Sequence, residues 1–300
     1  MQTPITEMFD IEFPIVAFTH CRDVVVAVSK AGGLGVLGAV AHSDAQLETD
    51  LAWIEDELGD RPYGIDLIVP ARYAGSDEGG LSVADLVSTI PGAHREFLDE
   101  LLKRYGVPEN PDSAGWAERP GDAPFSANRA DRQLDIALTH HPVLVANALG
   151  PPPRDMVERC HEAGVKVGAL AGTKVHAERH VAAGADIIIA QGTEGGGHTG
   201  HIGSMVLLPE VVDAVAPVPV LGAGGIGRGR QMAAAVALGA AGVWCGSVWL
   251  TTEEAETHPV VKDKMLAAGS GDTLRSRSIT GKPARMLRTA WTEEWDRDDT

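Results

Sequence analysis

Three glycines and a histidine, Gly195-Gly196-Gly197-His198, stand near the end of the run from Ala190 to Gly200, A-Q-G-T-E-G-G-G-H-T-G. Glycine has no Cβ, so such a run lets main chain approach a ligand where a side chain would intrude. An imidazole placed there can take or return a proton near neutral pH. That suits abstraction of an acidic C–H or orientation of an anionic substrate. His201 competes for this role, and His20, beyond the first strand, could face the same pocket. Two further glycine-rich stretches, Gly222-Ala-Gly-Gly-Ile-Gly227 and Gly246-Ser247, follow later in the chain. Backbone N–H groups of a loop that opens a helix, beside a second Gly-Ser loop, make an anion cradle suited to a phosphate.

Each of these loops follows an apolar run. Asp186-Ile-Ile-Ile, Val218-Pro-Val-Leu and Gly242-Val-Trp-Cys245 have no polar face and read as strands buried on both sides. Earlier in the chain, Phe13 to Ala17, Leu34 to Leu37, Tyr63 to Pro70, Pro142 to Asn147 and Val165 to Ala171 read the same way. Between them lie helical patterns: 22–31, closed by Gly32-Gly33; 44–58, with Leu47, Leu51, Ile54 and Leu58 three or four apart; 153–163; 174–183; and the Ala-rich 231–238. Strand and helix alternating through short connections indicate a parallel α/β fold, either a closed barrel or an open doubly wound sheet.

From Ala71 to Asp135 this regularity lapses. Gly75 to Gly80 and Pro108 to Ala127 are rich in Gly, Pro, Asp and Ser, while His94 to Tyr105 reads as an amphipathic helix. We expect an insertion after the third strand that covers the active site as a lid, with a surface or dimer-contact role as the alternative. Asp66 interrupts the third strand, and a carboxylate there needs a partner or a job.

The segments A-Q-G-x-E-x-G-G-H-x-G and A-G-G-I-x-x-G-R resemble the nitronate monooxygenase (2-nitropropane dioxygenase-like) family of FMN-dependent barrels. Phe13-Pro-Ile-Val-Ala17 and the stretch Val26 to Gly38 are similar to the family's start, and residues 278–291 to its closing segment. The resemblance covers residues 5 to 70 and 140 to 290. It implies a single (β/α)8 TIM barrel over residues 1–300, with the lid-like insertion at about 71–135. It implies FMN, with the phosphate at Gly224, Gly225, Gly246 and Ser247. The ring would lie near Ala17, Phe18, Gln191 and Gly196, with Trp244 and Cys245 supplying main chain. It also implies His198 as the catalytic or substrate-facing residue. At the position of Asp66 the family often carries an asparagine that reaches the flavin. An aspartate there changes the hydrogen-bonding sense, or pairs with a neighbour instead.

Composition narrows the remaining classes. A formal charge of −17 opposes binding to nucleic-acid phosphates. No run has the apolar length of a membrane span, and the N-terminus lacks a basic segment followed by an apolar one, so a cytoplasmic protein is expected. Cys21, Cys160 and Cys245, odd in number and widely spaced, indicate neither a disulfide framework nor a metal site. The Gly32 to Gly38 run joins a helix to a strand, the reverse of a dinucleotide fingerprint, so a tightly held NAD is not implied. The expectation is an FMN-dependent oxidoreductase, a monomer or homodimer, that oxidises alkyl nitronates with O₂. Its alternatives are an NAD(P)H-dependent reductase of an enoyl thioester, quinone or larger alicyclic acid, and a non-redox phosphate-binding isomerase or lyase.

Overall fold

Side chains alternate across a strand, so a sheet closed on itself sorts its residues into an inner and an outer set. The computed structural model describes residues 1–70, 83–108 and 127–297. The glycine- and serine-rich stretch 75–80 and most of 108–127 lie outside the described residues. The chain begins with α1 (Pro4–Phe9), β1 (Ile15–Thr19), α2 (Arg22–Lys30), β2 (Leu34–Gly38), α3 (Asp44–Leu58) and β3 (Tyr63–Leu67). After these come α4 (Val83–Ser88), α5 (Gly92–Arg104), α6 (Ala127–Thr139), β4 (Leu144–Asn147), α7 (Arg154–Glu162), β5 (Lys166–Ala171), α8 (Lys174–Ala182) and β6 (Ile187–Gln191). The last part holds β7 (Gly197–His198), α9 (Ser204–Val215), β8 (Val220–Ala223), α10 (Gly229–Ala237), β9 (Gly242–Cys245), α11 (Pro259–Ala267), β10 (Thr273–Ser276), β11 (Ala284–Leu287) and α12 (Ala290–Trp295).

Eight parallel strands close in the order β1-β2-β3-β4-β5-β6-β8-β9, with β9 returning to β1 through Ile15↔Val243 and Ala17↔Cys245. This is a (β/α)8 barrel. The alternation is visible along β6, where Ile187 and Ile189 pack inside with Val16, Leu34 and Leu144, and α1 adds Ile5 and Phe9 to that cluster. Ile188 and Ala190 face outward against Leu207 and Val211 of α9. On the opposite wall, Ile54 of α3 is fully buried among Leu37, Ile65 and Val145. Truncation of Ile54 to alanine is expected to cost about 2–5 kcal/mol, read from urea unfolding.

Two elements differ from the sequence reading. Helix α6 packs on α3 and β3, and Ala130, Leu134 and Ala137 enter the core. Residues 127–135 therefore belong to the barrel's own helical layer, and any inserted part is narrower than 71–135. Strands β10, β11 and β7 form a separate antiparallel sheet, joined by Ala284↔His198 and Arg285↔Gly197. Among the described residues no helix is long and apolar enough to cross a membrane.

Candidate active site

A cavity of about 1260 Å³ opens at the C-terminal ends of the barrel strands. Strand alternation explains which forecast residues reach it. Phe18, Asp66, Gln191 and Trp244 all occupy inward positions at their strand ends, and all four line the cavity. The Phe18 and Trp244 rings stack 5.9 Å apart at 22° across the β1–β9 seam. Ala17 is the exception, because it occupies an outward position in β1 and is fully buried. Only its main chain, paired with Gly35 and Cys245, can contribute to the region.

The glycine loops supply the rest of the wall: Gly196, Gly224, Gly225 and Gly246, with Cys245 and Ser247. Gly224 has φ +97°, and a Cβ there would lie 2.9 Å from the Gly192 carbonyl oxygen and 3.0 Å from the Gly195 nitrogen. The two loops are packed main chain to main chain. Loop 224–228 leads into the N-terminus of α10, and Gly246 leads into a 3₁₀ turn over Ser247–Thr251. Both ends present the positive pole of a helical turn, which favours an anion. Burial pushes the Cys245 thiol up to about 11, so it stays protonated and unreactive at neutral pH.

Asp66 is the least satisfied polar group in this wall. It is 4% exposed, and its Oδ2 has no hydrogen-bond partner among the described residues. Burial pushes its carboxyl well above the ordinary value of 3.8. A group whose pKa is higher folded than unfolded contributes stability at acid pH and loses that contribution as pH rises through the folded value. Asp66→Asn cannot ionise, so its Tm relative to the parent is expected to rise progressively above the unfolded value. A Tm difference independent of pH would show that Asp66 does not titrate as a buried acid.

The histidines divide differently. The His20 ring lines the cavity. Its Nδ1 lies 2.8 Å from the Gly38 carbonyl oxygen, so Nδ1 carries the donated proton and the neutral ring keeps its lone pair on Nε2. His198 is exposed and stands just beyond the wall formed by Gly195, Gly196 and Gly197. Its Nε2 is 2.5 Å from the Thr280 hydroxyl. The structure thus brings the histidine's loop to the cavity and leaves the imidazole at the rim.

Several organising residues were not visible as such in the sequence. Glu194 accepts from the Ser204 backbone N–H and hydroxyl, tying the glycine loop to the first residue of α9. The Gln231 side chain holds loop 225–227 by accepting from Gly227 N at 2.9 Å and donating to the Gly225 carbonyl at 2.6 Å. From the small sheet, Arg285 donates to the Thr193 carbonyl and Arg275 to that of Thr199, so two arginines grip the loop at either end. Asn147 points away from this machinery and bonds the main chain of Val69 and Leu149.

The stretch 71–135 expected as a lid lies partly outside the described residues. Among the described residues of 71–135, none lines the cavity; Met265, Ile279, Met286, Leu287 and Trp291 do. Helix α5 packs on the C-terminal helix instead. Phe97 lies edge-on to Trp295 at 5.6 Å, and Arg104 pairs with Glu294 at 2.9 Å.

A family model described as nitronate monooxygenase matches residues 2–300. "Putative monooxygenase Rv1533" of Mycobacterium tuberculosis is 61% identical over 300 residues, covering 100% of this chain and 80% of that protein. A second protein of that organism, an octahydroindene-carboxyl-CoA dehydrogenase, is 32% identical over 98% of this chain and 68% of its own length. The solved structure of a nitroalkane oxidase from Streptomyces ansochromogenes is similar with a TM-score of 0.79 at 28% identity, over 97% of this chain and 80% of that one.

Proposed function

Because this chain belongs to the nitronate monooxygenase family, a family of flavin-dependent oxidoreductases, we propose that it binds FMN and oxidises alkyl nitronates with O₂. One observation carries this reading: the forecast cofactor residues, Ala17 apart, line a single cavity whose glycine cradle excludes side chains and whose buried Asp66 oxygen lacks a partner.

These residues fit the group. The N-termini at loops 224–228 and 246–247 would take the phosphate. The flat space bounded by Phe18, Trp244 and Gly196 would take the ring, and Asp66 and Gln191 would offer hydrogen bonds at its edge. A protonated Asp66 both donates and accepts, as the asparagine of the resembling proteins does. When bound, the flavin supplies the two-electron acceptor that the imidazole and amides of the chain lack.

The protein's own share is binding and proton handling. In this reading the His198 Nε2 exchanges its Thr280 partner for the substrate, then removes the α-proton of a nitroalkane or orients the nitronate anion. The backbone of Gly195 to Gly197 forms the cavity wall beside it. The test is direct: a purified sample that is yellow and takes up O₂ with propane-2-nitronate supports the reading, and a colourless one that FMN cannot reconstitute ends it.

A second reading is favoured by the size of the cavity and by the relative named for a carboxyl-CoA. On it, NAD(P)H reduces the flavin and a large thioester is the second substrate. Anaerobic mixing with NADH or NADPH separates the two readings, since rapid bleaching of the flavin bands belongs to the reductase.

A further inference from the structure

Pockets for a drug-sized ligand run about 300–1,000 Å³. This cavity, at about 1260 Å³, exceeds what one such ligand needs. A flavin is one ligand of that size, and a three-carbon nitronate has too few atoms to fill what remains. The C-terminal segment lines this cavity with Met265, Ile279, Met286, Leu287 and Trp291. Ile279 is 70% exposed. Apolar groups gathered at a site's mouth in this way gain free energy when a ligand covers them. The two methionines add a wall that adjusts to shape.

Charge gives the other half of the ligand. The chain carries a formal −17, yet the cavity wall includes Arg228, Lys264 and Arg285. The acidic residues in that wall are Asp66 and Glu194. Burial pushes the carboxyl of the first well above its ordinary value, which disfavours its charge, and the second is spent on capping Ser204. Arg285 is committed to the Thr193 carbonyl and the Thr273 hydroxyl, and Arg228 sits in the loop assigned to phosphate. Among the described residues of the wall, Lys264, on α11 beside Met265, is placed to meet a second anion.

We propose that the substrate is an amphipathic anion, a planar carboxylate or nitronate head on an alkyl or alicyclic group of six or more carbons, and that the C-terminal segment selects it. This rests on the oxidoreductase reading of the same cavity and goes beyond it in naming the substrate class.

Unreactive carboxylates serve as probes: propanoate, hexanoate, decanoate and cyclohexanecarboxylate, titrated calorimetrically into the flavin-loaded protein. Each methylene that enters the apolar wall tightens Kd by about fourfold, so Kd is expected to fall steeply from propanoate to hexanoate and beyond. Met286→Ala and Ile279→Ser should flatten that slope; Ile279 is exposed enough that its replacement leaves folding intact. Lys264→Gln should weaken every member of the series by a similar factor, about two- to fivefold. A flat series, or one that favours propanoate, overturns the proposal. Flavin content and turnover of propane-2-nitronate are recorded on the same sample. If both are present and the series is flat, only the substrate class falls; if the protein holds no flavin, the reading of the cavity falls with it.

Discussion

His198→Asn is expected to lower turnover of a nitroalkane by about 10²- to 10⁴-fold, the range of a lost general base, while flavin content stays at the parental level. Asparagine keeps the polarity and approximate bulk of the residue and cannot accept the proton. The exposed position of His198 on β7 makes misfolding a poor explanation for any loss. Oxygen uptake gives the rate, and visible absorbance gives the flavin. Supplying the pre-formed nitronate divides the role further. If the imidazole serves to remove the α-proton, the defect shrinks on the nitronate; if it orients the anion, the defect persists. His20→Gln is the companion variant, because the His20 ring already lines the cavity and is held there through Nδ1 by the Gly38 carbonyl. A collapse in His20→Gln with parental rates in His198→Asn would move the chemistry to His20.

Gly224→Ala is the second large effect, and it acts on cofactor binding. The residue sits at φ +97°, and the new Cβ would press on main-chain atoms of Gly192 and Gly195 that cannot rotate away. Holding a non-glycine residue in such a conformation costs about 1–3 kcal/mol. The cradle relieves that cost by opening, so FMN affinity is expected to fall by about tenfold to a hundredfold. Gly229→Ala is the control, since a Cβ there meets nothing within 4 Å. Fluorescence titration of the apoprotein with FMN reads both. Equal affinities in the two variants would remove the phosphate from this loop.

The barrel was legible where burial leaves a period. Asp44–Leu58 was bounded correctly because Leu47, Leu51, Ile54 and Leu58 mark one helical face and Ser43 and Gly59 close its ends. Strands such as Ile187–Gln191 show as short β-branched runs, and their parity then tells Asp66 and Gln191 from Ala17, which the motif alone does not. Helix α9 escaped because S-M-V-L-L-P-E-V-V-D-A-V is apolar nearly throughout, with Pro209 inside it, and gives no clean face to count. The small sheet escaped for a different reason. Four-residue strands and a two-residue partner 75 or more positions away are held by tertiary pairing, so nothing local announces them. Residues 259–292 provide the described part of the roof, from several short elements that share no period.

The last barrel strand pairs with the first, and the Phe18–Trp244 stack lies on that join. Loop 246–247 and β1, which both border the cavity, are separated by most of the chain and become neighbours only when the cylinder shuts. During synthesis the ribosome must therefore release residues past 245 before a cofactor has anywhere to dock. A ligand that bridges the join acts as a rivet: it binds only the closed cylinder and so stabilises the pairing of the first and last strands by mass action.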